Sequence, residues 1–244
     1  MSTEYLCRRF SRIGARLKLQ QPGERDGNVS IDVGRDRDGE FFDLRCRPGI
    51  VPEILDVQPA SHHLVLMVRD GAAKNKFLLG RDERHWFASA VPGDGVRDVP
   101  TAMASLRPTE IEGLRAIRQG EWFFVRARDV REGDSPIYRN EPLSRGGGSK
   151  PHLCQELMRR SGITVMVTSA YPTGITEPEY NRLIDTDPAA RRMRWRRMVR
   201  DAQVYARGSV RHRDHKTIYL DGWHRVYMNR ERFAAHARHV AFLD

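Results

Sequence analysis

Cysteine is scarce in this chain: Cys7, Cys46 and Cys154 are odd in number, far apart and without a CxxC pair. That argues against a disulfide framework and a Cys-rich zinc module, and for a reducing compartment. Long apolar runs are missing too. None approaches the roughly 18 residues that span a bilayer, so no membrane partner is expected. The first residues, MSTEYLCRRFSRIGARLKL, hold no apolar block of the secretory kind. A cytoplasmic protein is the expectation. Lysine is rare, with 5 against 37 arginines. A GC-rich genome would account for arginine in place of lysine, though not for where the arginines cluster. No tandem repeat stands out, since KNKFLLGRDERHWF and HKTIYLDGWHRVYM share only a loose pattern of strand, turn and His beside Trp.

What is present is 244 residues, enough for one large or two small domains with a buried core. The composition is 39% hydrophobic and 30% charged, with a net charge of +10. That charge is uneven. Residues 189–244 hold 14 Lys/Arg against 5 Asp/Glu, a net of +9, whereas 1–188 hold 28 against 27, a net of +1. A near-neutral body, 1–188, thus carries a basic C-terminal lobe, 189–244, the asymmetry of a polyanion-binding face. No long polar linker separates the two, which favours one continuous domain with two lobes.

Apolar spacing predicts a first helix over 4–19, with Leu6, Phe10, Ile13 and Leu17 on one side. Two Asp-Gly hairpins follow, SIDVG with EFFDLRC and HLVLMV with NKFLLG, and VPEILDV between them reads as a further strand. Pro108–Arg118 reads as a helix, with Pro at its start and acids in the first turn. EWFFVRARDV and ITVMVTSAY read as strands, PHLCQELMRRSG as a short helix closed by Gly162. In the lobe, an Arg-rich helix precedes a meander of VYARGSVRH, KTIYL and WHRVYM, the last two split by an Asp221-Gly222 hairpin loop. Asn229 can cap a final helix. The fold class is α+β: antiparallel β-hairpins and a C-terminal β-meander with peripheral short helices.

RRMRWRRMVR places six arginines in ten positions: Arg191, Arg192, Arg194, Arg196, Arg197 and Arg200, with Trp195 among them. Guanidinium pairs bidentately with phosphate and indole offers a base a stacking face. Arg211, Arg213 and Lys216 extend the basic set into the meander. RNA or DNA is the expected partner, and a solvated basic face or one that docks an acidic protein is the alternative.

His212, Asp214, His215 and His224 are side chains of the metal-ligating types. HRDH at 212–215 resembles part of the HxHxDH motif of metallo-β-lactamase-like hydrolases. Val210 stands where the motif has its first His, and no His ladder follows. Turn chemistry alone also accounts for Asp214. SRGGGSK resembles a P-loop superficially, but Ser149 separates the last Gly from Lys150, and Pro151 follows. Gly146, Gly147, Gly148, Ser149 and Lys150 remain an anion-binding candidate at the start of the expected helix. Glu83 and His85, on one face of a strand, offer an acid and a base for catalysis, with His215 a third candidate. No motif implies a cofactor. Three functions follow in order: a nucleic-acid-associated accessory protein, an adaptor for an acidic partner, and a His-dependent, metal-assisted hydrolase.

Overall fold

Alternating and β-branched segments recur along the sequence, and strands make up just over half of the described residues. The computed structural model describes residues 3–23, 28–93, 95–130, 133, 135–144 and 150–231. They fall into two units, one from 3–112 with 229–231 and one from 113–228.

Helix α1 (Thr3–Ser11) opens the first unit and buries Leu6 and Phe10. It is shorter than its apolar spacing predicts. Gly14 takes φ +81°, a conformation that suits glycine, and the chain turns into β1 (Leu17–Gln20). β2 (Val29–Asp36) and β3 (Gly39–Cys46) form the first expected hairpin, and β1 joins β3 in parallel. β4 (Val51–Gln58), β5 (His63–Asp70), β6 (Ala73–Asp82) and β7 (His85–Ala90) form an antiparallel meander in chain order. Helix α2 (Val99–Leu106) follows, capped by Asp98, whose carboxylate accepts from the Thr101 N–H at 2.8 Å.

β5 is buried on both faces. Leu64, Leu66 and Val68 pack with Phe10, Phe42 and Leu79, while Val65 packs with Leu78, Val99 and Leu106. This double burial is why HLVLMV is an unbroken apolar run rather than an alternating one. Phe42 lies edge-on to Phe10 and to Trp86, both at 5.5 Å between centroids. Truncating it leaves a cavity lined by two aromatic rings. Phe42→Ala should cost about 3–5 kcal/mol in chemical denaturation.

At the hairpin end, the Asp36 carboxylate accepts from Arg16 at 2.6 Å and Lys18 at 2.7 Å. The Arg16 hydrogen bond, then that of Lys18, holds its pKa well below the usual carboxylate range. The stabilisation is therefore complete above the ordinary Asp value of about 3.9 and is lost as pH falls towards the folded-state value. In thermal melts, Asp36→Asn should lower stability at pH 7 and matter far less near pH 2.

The second unit contains β8 (Ala116–Gln119), β9 (Trp122–Arg126), β10 (Ile137–Leu143), β11 (His152–Arg160), β12 (Ile163–Thr168) and β13 (Tyr171–Thr176). Helices α3 (Glu177–Thr186) and α4 (Pro188–Arg191) follow, then β14 (Arg196–Arg200), β15 (Gln203–Arg211) and β16 (Ile218–Met228). Six strands form an antiparallel sheet in the order β10-β11-β15-β16-β9-β8, and three form another in the order β13-β12-β14. The basic pair β15–β16 thus occupies the middle of the larger sheet.

Several sequence expectations give way here. Pro108–Arg118 is not one helix: a 3-10 turn at Thr109–Ile111 ends before Gly113 (φ +75°), and β8 then pairs with β9. His152–Arg160 is a strand because β10 and β15 supply ladder partners on both sides, which overrides its helical propensity. Asp221-Gly222 is not a hairpin loop. Between the pairs Ala206–His224 and Gly208–Leu220, one residue of β15 faces three of β16, so 221–223 form a bulge in a continuous strand. The Arg-rich helix is also replaced, since only α4 is helical there and Arg196–Arg200 pair with β12. The final helix expected after Asn229 lies outside the described residues.

Candidate nucleic-acid interface

Strand alternation gives the six-stranded sheet two chemically different faces. On one, Trp122, Phe124, Leu157, Val204, Ala206 and Val226 form the core. The other is read from the register. Arg139 pairs Glu156, which pairs Arg207; Met158 pairs Tyr205, which pairs Arg225; Arg118 pairs Phe123, which pairs Tyr227. Further along, Leu153 pairs Arg211 and Ser209 pairs Tyr219.

Arginine and aromatic side chains alternate over this second face. The guanidinium of Arg207 lies 4.6 Å from the Trp223 ring centroid, Arg225 lies 4.9 Å from Tyr227, Arg118 5.7 Å from Phe123, and Arg160 5.9 Å from Tyr205. Trp223 and Tyr205 are buried with Met158, so these rings support the guanidinium groups from below. Tyr219 differs, with 77% of its surface exposed. Glu156 accepts from Arg207 at 2.6 Å, and Arg211 donates to the Asn140 side-chain Oδ1 at 3.1 Å. The charge bias matches this chemistry. Residues 113–228 carry 22 Lys/Arg against 13 Asp/Glu, a net of +9, while residues 1–112 carry 17 of each.

The chain matches no known protein family, no curated protein and no solved structure.

The Arg cluster proves more structural than its composition suggests. Arg191 donates to the Ile184 and Asp185 carbonyls at the end of α3, Arg197 pairs with Glu177 at 3.2 Å, and Arg200 donates to the Thr173 carbonyl at 3.1 Å. Trp195 stacks on Tyr171 at 5.5 Å, meets Tyr180 edge-on at 5.1 Å, and donates to the Ala190 carbonyl. Arg192, Arg194 and Arg196 are exposed. On strand β14 the side chains of Arg196, Met198 and Arg200 alternate with Arg197 and Val199, so no single arginine-lined helical face exists.

Other candidates are dispersed. Arg213 and Lys216 are exposed in the loop between β15 and β16. Lys150 forms an ion pair with Asp214, and the residue after Pro151 begins a strand, so the helix N-terminus expected beside it is replaced. Gly146, Gly147, Gly148 and Ser149 lie outside the described residues. Glu83 sits in a turn at φ +51° and is not on a strand face with His85. The acid at His85 is Glu40, 2.6 Å from Nδ1. Burial would raise the Glu40 carboxyl, but the His85 bond and the Trp86 N–H outweigh it and hold it below its ordinary value. His212 and His215 converge with His152, while His224 faces the Gly222 carbonyl at 2.8 Å within the bulge and is not part of that group.

Arg118, Arg139, Arg160, Arg207, Arg225 and Tyr219 were not singled out from sequence, although the alternation Gln203-Tyr205-Arg207-Ser209-Arg211 is readable in QVYARGSVR. Because Trp195 is packed against Tyr171 and Tyr180, Trp195→Ala should lower the melting temperature in thermal melts.

Proposed function

We propose that the chain is a cytoplasmic, nucleic-acid-binding accessory protein that lays the backbone of single-stranded RNA or DNA over the arginine-bearing face of its six-stranded sheet. One observation carries this: guanidinium groups on at least four strands share one face with an exposed aromatic ring, Tyr219. Stacking on Tyr227 holds Arg225 in place, which lowers the side-chain entropy lost when it pairs with phosphate. Tyr219 offers a π-face that any base can use. The reducing compartment inferred from three free cysteines agrees with this location. The same charge would also suit an acidic protein, but an exposed tyrosine among arginines favours a ligand with both phosphates and bases.

The test is fluorescence anisotropy with mixed-sequence RNA and single-stranded DNA across a salt series. Five phosphate contacts would give a slope of about −3.5 for log K against log salt concentration. Arg139→Ala and Arg211→Ala should each reduce that slope by about 0.7. Tyr219→Ala should weaken binding by about 1–3 kcal/mol at an unchanged slope. No binding at low salt, or binding indifferent to salt, would end the assignment. A stoichiometric acidic protein bound in the absence of oligonucleotide affinity would replace it with the adaptor role.

A further inference from the structure

The second unit brings three histidines together across 63 residues of sequence. Leu153 pairs with Arg211, so the preceding residue, His152, comes opposite His212 where β15 ends. His215 follows in the loop that joins β15 to β16. Gln119, itself buried, holds that loop: its Nε2 donates to the Val210 carbonyl at 3.3 Å and the Lys216 carbonyl at 2.6 Å. The ring centroids lie 4.2 Å apart for His152 and His212, 4.6 Å for His212 and His215, and 5.6 Å for His152 and His215. One nitrogen from each ring lies within 4.8 Å of the other two.

Packing alone does not explain His152. Its exposure is 0%, and neither ring nitrogen has a hydrogen-bond partner among the described residues. A buried polar group left so is destabilising, and structural histidines ordinarily find a partner. Burial, then the charges of His212 and His215, pushes the His152 pKa down to about 3. Burial and His215 also lower His212, against the raising effect of Asp214 and Glu121. Of the three imidazoles, His152 has a ring-nitrogen lone pair that meets no hydrogen-bond donor among the described residues and can face a cation. Gly120 opens space in front of them. A Cβ there would stand 2.9 Å from His215 Nε2 and 3.3 Å from His152 Nε2, and the φ of +57° also favours glycine.

We propose that His152, His212 and His215 bind one divalent transition-metal ion of the zinc type. Three imidazoles without a carboxylate suit zinc, cobalt, nickel or copper rather than magnesium or calcium. At about 2.1 Å from each nitrogen, a tetrahedral ion draws the three nitrogens to about 3.4 Å apart. The rings are nearly parallel now, at 19–27°. Each must turn to put the ion in its own plane, and His212 exchanges the Asp214 N–H that its Nδ1 now accepts at 3.1 Å. Cys154 does not belong to the converging group and packs in the core of the sheet. Three protein ligands leave a fourth position for water or an anion. The site is independent of the arginine face.

The experiment strips the full-length protein with a chelator, dialyses it, and titrates zinc by calorimetry, with cobalt absorption as the ligand-type readout. One zinc per chain and a four-coordinate cobalt spectrum without thiolate bands are expected. His212→Ala and His215→Ala, both at half-buried positions, should each weaken zinc binding by on the order of 100-fold or more. His85→Ala should bind as the parent does. Melting curves recorded in chelator separate ligand loss from misfolding. Lack of stoichiometric zinc in the parent protein would overturn the site, and so would thiolate bands or full affinity in both His212 and His215 variants.

Discussion

Residues 113–228 depend on the position of β15 between β11 and β16. Its ladder to β11 fixes which residues of two distant segments meet, and its ladder to β16 fixes which side chains look away from the core. A slip of one residue would move every side chain to the opposite face. Arg207 and Arg211 would then turn inward and Val204, Ala206 and Val210 outward, so the core and the basic face are set by one register. The same register carries His152 to His212.

The β-hairpins of the first 90 residues were legible because their signals are local. Asp-Gly turns and unbroken or alternating apolar runs act over a few residues, and β2–β3 and β5–β6 form where they indicate. What was not legible depends on partners distant in sequence. His152–Arg160 has Leu, Gln, Glu and Met, good helix formers, yet it lies between two strands that satisfy its backbone. The Asp221-Gly222 pair carries the chemistry of a tight turn, but β9 continues to pair beyond it and the chain absorbs the excess as a bulge. At the histidine cluster, HRDH marked His212 and His215 but gave no hint of His152, whose position only the ladder reveals. His224 carried the same local appeal and is taken by a backbone carbonyl.

Charge and aromatic content divide in an instructive way. The densest run of arginines, 191–200, spends Arg191, Arg197 and Arg200 on helix ends, strand carbonyls and Glu177, and packs Trp195 between two tyrosines. Arginines spaced singly along other strands make the more coherent surface, because strand pairing gathers residues that sequence scatters. A sequence count finds the first kind and misses the second.

β14 ends its small sheet. Among the described residues it has a ladder partner, β12, on one side only, which leaves a row of backbone donors and acceptors facing outward next to exposed Val199. Such an edge invites another copy to add a strand, and long charged side chains are a common guard against it. Arg196, Arg197 and Arg200 make that stacking costly through like-charge repulsion. Arginines at such an edge thus fit a structural role that needs no ligand.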